Sequence, residues 1–344
     1  MSMYNVVVIG SGPGGYVAAI RCAQLGMKVA IIEKYDVLGG TCTNVGCIPS
    51  KALLDSSEHY DAAMHKFREH GLNLKGIDIN FAQMIKRKND VVRQNNDGIG
   101  FLMKKNKIDA YKGTGSFISK NKIAITNTKG EVTEIETEKT IIATGSKPTR
   151  LPFITIDKKR IITSTEALSL TEIPKQLVII GGGIIGVELG SVYQRLGSEV
   201  TIIEFLDKIV PSMDDDLGKE LLRILRKQGM EFMLSTKVTG AKTNGNEIVV
   251  TAENKTGEKI EVKSDYCLVA VGRVPFTNGI ALENAGLKTD EKGRISVNEN
   301  LETSVDGIYA IGDVVRCAML AHKAEEECVF VAETIAGQKP HINY

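Results

Sequence analysis

The chain has 344 residues, with 43 Lys plus Arg against 42 Asp plus Glu, and a net charge of +1. This balance gives no electrostatic reason to expect binding to nucleic acid or to an anionic membrane surface. The length suits two or three domains, and 42% hydrophobic with 25% charged residues is ordinary globular composition. Apolar runs are too short to cross a bilayer and no signal-peptide pattern is visible, so we expect a cytoplasmic location.

Two segments of the chain, residues 5–34 and 176–205, repeat each other. Each reads as an apolar strand, a GxGxxG turn, a helix ending in Leu-Gly, a second strand and a Glu. This is the βαβ dinucleotide-binding fingerprint in its full context. The corresponding residues of the two copies are Gly10, Gly12, Gly15 and Glu33 in the first, and Gly181, Gly183, Gly186 and Glu204 in the second.

The fingerprint residues have separate tasks. The first Gly permits the tight turn, the second lets the backbone approach a pyrophosphate, and the third lets the helix pack against the strand. The helix N-terminus then faces the phosphates, and the closing Glu accepts hydrogen bonds from a ribose. Two copies predict two dinucleotides. The segment after Glu204 has no arginine for a 2′-phosphate, so the second site favours NAD over NADP.

The remaining sequence predicts further elements in chain order. Helices are expected at 50–70, 81–106, 207–230 and 319–336, short strands within 108–143 and 231–271, and one strand at 307–314. Both strand regions end in an apolar run followed by Gly and then Pro, so the second half repeats the first beyond the fingerprint. We place the boundaries near Lys147 and Arg273.

A close cysteine pair lies in the sequence GGTCTNVGCIPSKALL, with four residues between Cys42 and Cys47. A zinc site, two unrelated buried thiols and a redox-active disulfide are the alternatives. The local chemistry favours the disulfide, because Pro49 at the first helical position puts Cys47 at a helix N-terminus, where the dipole lowers a thiol pKa. Lys51 falls one helical turn further on the same face.

The other four cysteines are isolated in the sequence. We expect them to be buried and unreactive thiols. They are Cys22, Cys267, Cys317 and Cys328.

The motifs together carry a family resemblance. The set GSGPGG, GGTCTNVGCIPSKALL, ATGS, GGGIIGVELG, AVGR, AIGDV and MLAHKAEEE resembles the disulfide-dependent flavoprotein oxidoreductases, and within them most closely the dihydrolipoyl dehydrogenase family. The resemblance implies FAD and NAD as cofactors and two related three-layer, Rossmann-like α/β domains, the second inserted in the first. Residues 1–147 then form the first part of the FAD-binding domain, 148–272 the NAD-binding domain and 273–344 the return to the FAD-binding domain.

The resemblance also implies roles for matching positions. The residues expected at FAD are Gly10, Gly12, Gly14, Gly15, Glu33, Lys34, Gly40, Thr41, Lys51, Gly115, Thr144, Gly145, Ser146, Asp313, Met319, Leu320, Ala321 and His322. The residues expected at NAD are Gly181, Gly183, Ile185, Gly186, Glu188, Glu204, Val238 and Gly272. The catalytic residues are expected to be Cys42, Cys47, Lys51 and Glu188, with an ion pair between the last two beside the flavin, and no metal is expected.

The implied reaction reoxidises dihydrolipoyl groups on the acyltransferase subunits of 2-oxo-acid dehydrogenase complexes. Cys42 exchanges with the lipoyl sulfur and Cys47 contacts the flavin. Proteins of the family continue into an interface domain that forms a homodimer and lends a His–Glu base to the partner. We expect that domain to be missing, since the sequence given ends at Tyr344 and no histidine matches that motif.

The sequence departs from the family pattern at two further places. Cys317-Ala318 stands where the family pattern has Gly-Pro, and Cys328 stands where it has Gly.

Two alternative functions remain. The first is a related reductase of the mercuric or glutathione type. The second is a cofactor-binding fragment without full turnover.

Overall fold

The computed structural model describes residues 3–344. The strands are β1 Met3–Ile9, β2 Val29–Glu33, β3 Asp109–Lys112, β4 Thr114–Ser119, β5 Lys122–Thr126, β6 Val132–Ile142, β7 Ser146–Pro148, β8 Ile161–Ile162, β9 Gln176–Ile180, β10 Glu199–Ile203, β11 Glu231–Met233, β12 Lys237–Asn244, β13 Glu247–Glu253, β14 Lys259–Ser264, β15 Tyr266–Val269, β16 Arg273–Pro275 and β17 Ile308–Ala310. The α-helices are α1 Pro13–Gln24, α2 Gly40–Val45, α3 Cys47–His65, α4 Phe81–Lys105, α5 Ser164–Ala167, α6 Ile184–Arg195, α7 Asp215–Lys227 and α8 Ala321–Ile335. Single 3₁₀ turns lie at Phe67–His70, Leu282–Ala285 and Gly312–Val314.

The chain divides into two compact units. Unit 1 comprises the residues up to Asn44 together with Val92–Lys147 and Arg273–Tyr344, and unit 2 comprises Val45–Val91 and Pro148–Gly272. The breaks after Lys147 and before Arg273 fall where the sequence places boundaries. Residues 45–91 group with unit 2, although the sequence-based division gave them to the first part. The assignment of one domain to FAD and the other to NAD stays a prediction.

Unit 1 is built around a mixed sheet. Strands β3, β2, β1 and β6 run parallel in that order, β17 also pairs in parallel with β6, and β5 and β4 continue the sheet in antiparallel fashion. The β1 sequence MYNVVVI is apolar on both faces because both faces are covered. Val6 and Val8 pack with α1 and α8, whereas Val7 and Ile9 pack with residues of β4 and β5.

Unit 2 has the same layered plan. Strands β11, β10, β9, β15 and β8 form a parallel sheet in that order, and β12, β13 and β14 form a separate antiparallel sheet. One face of the parallel sheet packs against α3 and α6 through Ile179, Leu53 and Val192. The other face packs against the antiparallel sheet through Val178 and Val250. The predicted three-layer, Rossmann-like α/β class is confirmed.

Four predicted elements need correction at their ends. The helix expected at 50–70 spans Cys47–His65 and is followed by a separate 3₁₀ turn at Phe67–His70. The helix expected at 207–230 begins only at Asp215, because Asp214 caps it by accepting the N–H of Asp216 at 2.9 Å. The strand expected at 307–314 ends at Ala310, since Gly312 has a φ of +71° and starts a 3₁₀ turn. The last helix begins two residues later than expected, at Ala321. Between residues 3 and 344 no helix has the length and apolar character of a membrane span.

Candidate functional site

The first GxGxxG turn has the geometry that the sequence predicts. Gly10 has a φ of +102°, and a Cβ atom there would lie 2.4 Å from the Ala143 carbonyl oxygen. A Cβ at Gly15 would lie 1.9 Å from the Gly10 carbonyl oxygen. Gly12 caps the N-terminus of α1, and a Cβ there would meet nothing within 4 Å. The protein thus fills the space at the first and third glycines and leaves open the space at the second, as a bound pyrophosphate requires.

The second turn reproduces this arrangement in unit 2. Gly181 has a φ of +110°, and its Cβ would lie 2.5 Å from the Ala270 carbonyl oxygen. A Cβ at Gly186 would lie 2.2 Å from the Gly181 carbonyl oxygen, whereas Gly183 caps α6 with open space beside it. The residues at both turns therefore fit a dinucleotide.

The acidic residue that closes the first copy is held by the turn itself. One carboxylate oxygen of Glu33 accepts the Ser11 N–H at 3.1 Å and the Ser11 hydroxyl at 2.6 Å, and the other accepts the Tyr35 N–H at 3.0 Å. The ammonium of the next residue, Lys34, lies 3.7 Å from the ring centroid of Phe276. Ser11 was not among the predicted site residues, because the second position of the motif has no fixed residue type.

The acidic residue of the second copy makes the corresponding contacts. Glu204 accepts the Gly182 N–H at 2.6 Å and the Leu206 N–H at 2.7 Å. The nearby cation Lys208 donates to Asp215 at 2.6 Å, which raises the pKa of this lysine and lowers the pKa of Asp215. The nearest lysine after the fingerprint is thus already paired with a carboxylate.

Hydrogen bonds link three side chains of unit 1, those of Asp313, Ser146 and Arg273. Ser146 donates its hydroxyl to Asp313 Oδ2 at 2.5 Å, and Arg273 donates from Nε to the same hydroxyl oxygen at 2.7 Å. A second Arg273 nitrogen donates to the Ser146 carbonyl at 2.8 Å. Burial lowers the pKa of Arg273, and the charge of Asp313 opposes that shift. The sequence identified Arg273 only as a boundary and missed this role.

The cysteine pair is disulfide-bonded in this structure. Cys42 lies in α2, and Cys47 is the first residue of α3, with Gly46 as the N-cap. The expected position of Cys47 at a helix N-terminus is therefore correct. Pro49, which was expected to be the first helical residue, is the third, because the helix already begins at Cys47. Residues 3–344 contain no group of three or more His, Cys, Asp and Glu side chains that could hold a metal ion.

The segment that carries Cys42 packs directly on the first fingerprint turn. A Cβ at Gly40 would lie 2.5 Å from the Gly12 Cα, so no side chain fits between the two backbones. Asn44 closes the segment by donating to the carbonyls of Leu38 and Gly40, both at 2.9 Å. Asn44 was also missed, since an Asn between two cysteines gives no signal of its own.

The predicted ion pair is present within unit 2. Lys51 Nζ lies 2.6 Å from Glu188 Oε1, and the Ser50 hydroxyl donates to Glu188 Oε2 at 2.8 Å. The Lys51 side chain is 60% exposed and the Glu188 side chain 26%. This pair joins α3 to α6, and its expected place beside a flavin stays a prediction. The Ser50 hydroxyl, which is the second partner of the Glu188 carboxylate, was not predicted.

The isolated cysteines differ in exposure. Cys22 and Cys267 are buried, and burial raises the pKa of each thiol to about 12. Burial also raises the pKa of Cys328. Cys317 is exposed, so the expectation of four buried thiols is wrong at this position.

The other predicted residues lie in the two units as follows. Unit 1 contains Gly14, Thr41, Gly115, Thr144, Gly145, Met319, Leu320, Ala321 and His322, and unit 2 contains Ile185, Val238 and Gly272. A Cβ at Gly14 would lie 3.2 Å from Ala324, and one at Gly115 would lie 3.1 Å from Ile32, so these glycines are close-packed. Their contacts with a cofactor stay predictions.

Two dinucleotide turns and a disulfide on one chain define a class of protein, the dinucleotide-dependent disulfide oxidoreductases. The chain belongs to the pyridine nucleotide-disulphide oxidoreductase family, whose model matches residues 4–328. Members related to it use FAD and a nicotinamide dinucleotide, which confirms the predicted cofactors.

The similar proteins are of the type that the sequence resembles. Mitochondrial dihydrolipoyl dehydrogenase of Pisum sativum is 51% identical over 341 residues, which are 99% of this chain and 68% of that protein. Dihydrolipoyl dehydrogenase 3 of Pseudomonas putida is 49% identical over 346 residues, covering 74% of its length. Leghemoglobin reductase of Glycine max is 50% identical, with 65% of its length covered. The chain spans about two thirds of the length of most of these relatives.

A solved structure agrees with the fold. The Cu(II) complex of the HOCl-induced flavoprotein disulfide reductase RclA from Escherichia coli matches with a TM-score of 0.86 and 31% identity, over 97% of this chain and 71% of that one. The predicted enzyme class, an oxidoreductase of the dihydrolipoyl dehydrogenase type, is confirmed by these relatives.

Proposed function

We propose that this chain catalyses the NAD-dependent oxidation of dihydrolipoyl groups through Cys42 and Cys47. The observation that carries the proposal is the disulfide on a segment packed against the first fingerprint turn, where a Cβ at Gly40 would lie 2.5 Å from Gly12. The dihydrolipoyl dehydrogenases among the relatives support the substrate class.

The chemistry of the disulfide balances with a dithiol substrate. One substrate thiolate attacks Cys42 Sγ, the Cys42–Cys47 bond breaks, and Cys47 leaves as a thiolate at the N-terminus of α3, where the helix dipole favours it. The second substrate thiol displaces Cys42 and closes the lipoyl disulfide. The substrate loses two electrons and two protons. The cysteine pair takes both electrons, the proton of the second substrate thiol passes to Cys42, and the proton released when the first substrate thiol ionises goes to solvent, which leaves Cys47 as the thiolate.

FAD, when bound, supplies the two-electron exchange between this dithiol and NAD. The residues that would hold it are those around the first turn, with Glu33 at the adenosine ribose and Asp313 at the ribityl chain. The Lys51 ammonium, which lies 2.6 Å from Glu188 Oε1, would favour negative charge nearby. These roles follow from the resemblance. The open space beside Gly12 supports the placement of FAD at the first turn.

NAD rather than NADP is the proposed acceptor. Glu204 presents a carboxylate where a 2′-phosphate would lie, and like charges repel. Lys208, a nearby cation, is engaged by Asp215 at 2.6 Å. The preference is measured as the ratio of kcat/KM for NADH over NADPH in dye reduction.

The partners follow from the substrate class. We propose that the lipoyl groups belong to acyltransferase subunits of 2-oxo-acid dehydrogenase complexes, that the working form is a homodimer, and that neither nucleic acid nor membrane is a partner. A cytoplasmic location is part of the same proposal, although the names of the relatives from Pisum sativum and Arabidopsis thaliana place those proteins in mitochondria. Cell fractionation and co-purification with a 2-oxo-acid complex test these points.

The test is NADH-dependent reduction of lipoamide by the purified chain, alongside reduction of an artificial dye. Lipoamide turnover supports the proposal. Dye reduction without lipoamide turnover contradicts it and favours a cofactor-binding chain without full turnover. Turnover with mercuric ion or oxidised glutathione instead of lipoamide assigns the chain to another reductase of the same family.

A further inference from the structure

A buried ion pair lies at the start of α8 in unit 1. Lys323 Nζ and Glu327 Oε1 are 2.9 Å apart, and their side chains are 6% and 1% exposed. A buried ion pair is a weak source of stability, because both charges lose their hydration. Folding stability alone therefore does not account for this pair, and we call Lys323 and Glu327 the Gly312 clamp.

The clamp holds both polar groups of one backbone residue. Glu327 Oε2 accepts the Gly312 N–H at 2.7 Å, and Lys323 Nζ donates to the Gly312 carbonyl at 3.1 Å. Gly312 has a φ of +71°, and a Cβ there would lie 3.2 Å from Ala324, so the backbone conformation at this point is narrowly defined. Tyr344 donates a further hydrogen bond to Glu327 Oε1 at 2.8 Å.

The residue that follows the clamped glycine is Asp313. Its Oδ2 accepts the Ser146 hydroxyl at 2.5 Å, and that hydroxyl is itself fixed by Arg273. Within residues 3–344 the other carboxylate oxygen of Asp313 accepts no hydrogen bond that meets ordinary geometric criteria. The carboxylate is thus oriented through its side chain by Ser146 and through its backbone by the clamp, with one oxygen free for a ligand hydroxyl.

We propose that Lys323 and Glu327 are positioning residues for FAD, which act through Gly312 by holding the Asp313 carboxylate in place for the ribityl hydroxyls. Neither side chain has to touch the cofactor for this role. The inference rests on the proposed function, in that FAD occupies the first fingerprint turn.

The variant that tests the clamp is Lys323→Met/Glu327→Met. It removes both charges at similar volume, a change that by itself is often neutral or stabilising, but it also leaves the buried N–H and carbonyl of Gly312 without partners. We therefore expect the melting temperature of the cofactor-free chain to fall, and the dissociation constant of FAD for the folded variant to rise by about tenfold or more, as for residues that orient metal ligands. Titration of the cofactor-free chain with FAD measures this.

A matched control lies on the same helix. Arg21 and Glu333 form an ion pair of 2.5 Å between α1 and α8, and neither residue hydrogen-bonds to Gly312. Arg21→Met/Glu333→Met should leave the FAD dissociation constant unchanged. Equal weakening in the control and the clamp variant shows a general effect of α8 and overturns the inference.

A conservative variant isolates the contact to Gly312. Lys323→Met/Glu327→Gln has no buried charge but keeps an oxygen for the Gly312 N–H, so we expect it to recover part of the lost FAD affinity. It also serves as the test variant where the double methionine fails to fold. Affinity no better than that of the double methionine, in two folded variants, contradicts a role through Gly312.

A double-mutant cycle with Asp313→Asn then shows whether the clamp acts through Asp313. If it does, the two changes are non-additive in FAD affinity, because the clamp has nothing left to position once the carboxylate is gone. Additive effects overturn the inference. A wild-type chain that binds no FAD overturns the proposed function as well. If the wild-type chain binds FAD and the clamp variant binds it equally tightly, only the role of the clamp is overturned.

Discussion

The open space beside Gly183 makes a sharp prediction for Gly183→Ala. Its backbone angles, φ −73° and ψ 178°, suit any residue, and a Cβ would meet nothing within 4 Å. Alanine restricts the unfolded chain, which stabilises the protein by about 0.4–1 kcal/mol, and it is a poorer N-cap than glycine, which costs roughly 0.5–1 kcal/mol. These effects nearly cancel, so the free energy of unfolding should change by less than about 1 kcal/mol.

The same methyl group occupies space that a pyrophosphate needs. Overpacking of one such group costs about 1–3 kcal/mol, which corresponds to a roughly 5- to 150-fold rise in the dissociation constant of NADH. The assay combines NADH titration, the rate of flavin reduction, the FAD content and the melting temperature. We expect the first two to change and the last two to stay at wild-type values.

Gly186→Ala is the informative comparison. Its Cβ would lie 2.2 Å from the Gly181 carbonyl oxygen, so it should lower the stability of the fold itself. The reasoning is refuted by a folded Gly183→Ala variant that binds NADH as tightly as wild type. It is equally refuted if Gly183→Ala unfolds the chain and Gly186→Ala does not.

Three further outcomes are expected. Lys51→Met should leave the melting temperature nearly unchanged, since exposed ion pairs contribute about 0–1 kcal/mol, but slow lipoamide reduction; an unchanged rate removes Lys51 from the site. Cys47→Ser should abolish lipoamide reduction and keep dye reduction by NADH, so a loss of both despite bound FAD speaks against the assignment. Maleimide at pH 7 should label Cys317 first, because burial raises the pKa of Cys22 and Cys267 to about 12, and mass spectrometry showing either of these labelled faster contradicts their burial.

Residue types with a single geometric purpose were predictable from the sequence. Gly10 and Gly15 are required by the turn, because any side chain there would overlap a backbone carbonyl oxygen. The closing Glu33 follows from the βαβ repeat, and the fold class follows from two such repeats. These features depend on local spacing, which the sequence displays directly.

Contacts made by distant segments were not predictable from the residues alone, and the pair of Lys51 and Glu188 was expected only through the family resemblance. Arg273 reaches Ser146 across 127 positions of the chain, and the partners Ser50 and Glu188 are 138 positions apart. Their meeting depends on strand register and helix packing, which no short motif encodes. The start of α7 was misplaced for a different reason, since the cap at Asp214 overrides a helix-compatible composition before it.

The most direct measurement is the visible absorption spectrum of the purified chain before and after anaerobic addition of NADH. We expect a flavin band at the start, and a long-wavelength charge-transfer band on reduction that is absent from the double variant Cys42→Ser/Cys47→Ser. That result requires both nucleotide turns and the disulfide to work together. A chain that binds FAD and accepts electrons from NADH, yet has the same spectrum in the double variant, contradicts the assignment of the cysteine pair as the redox centre.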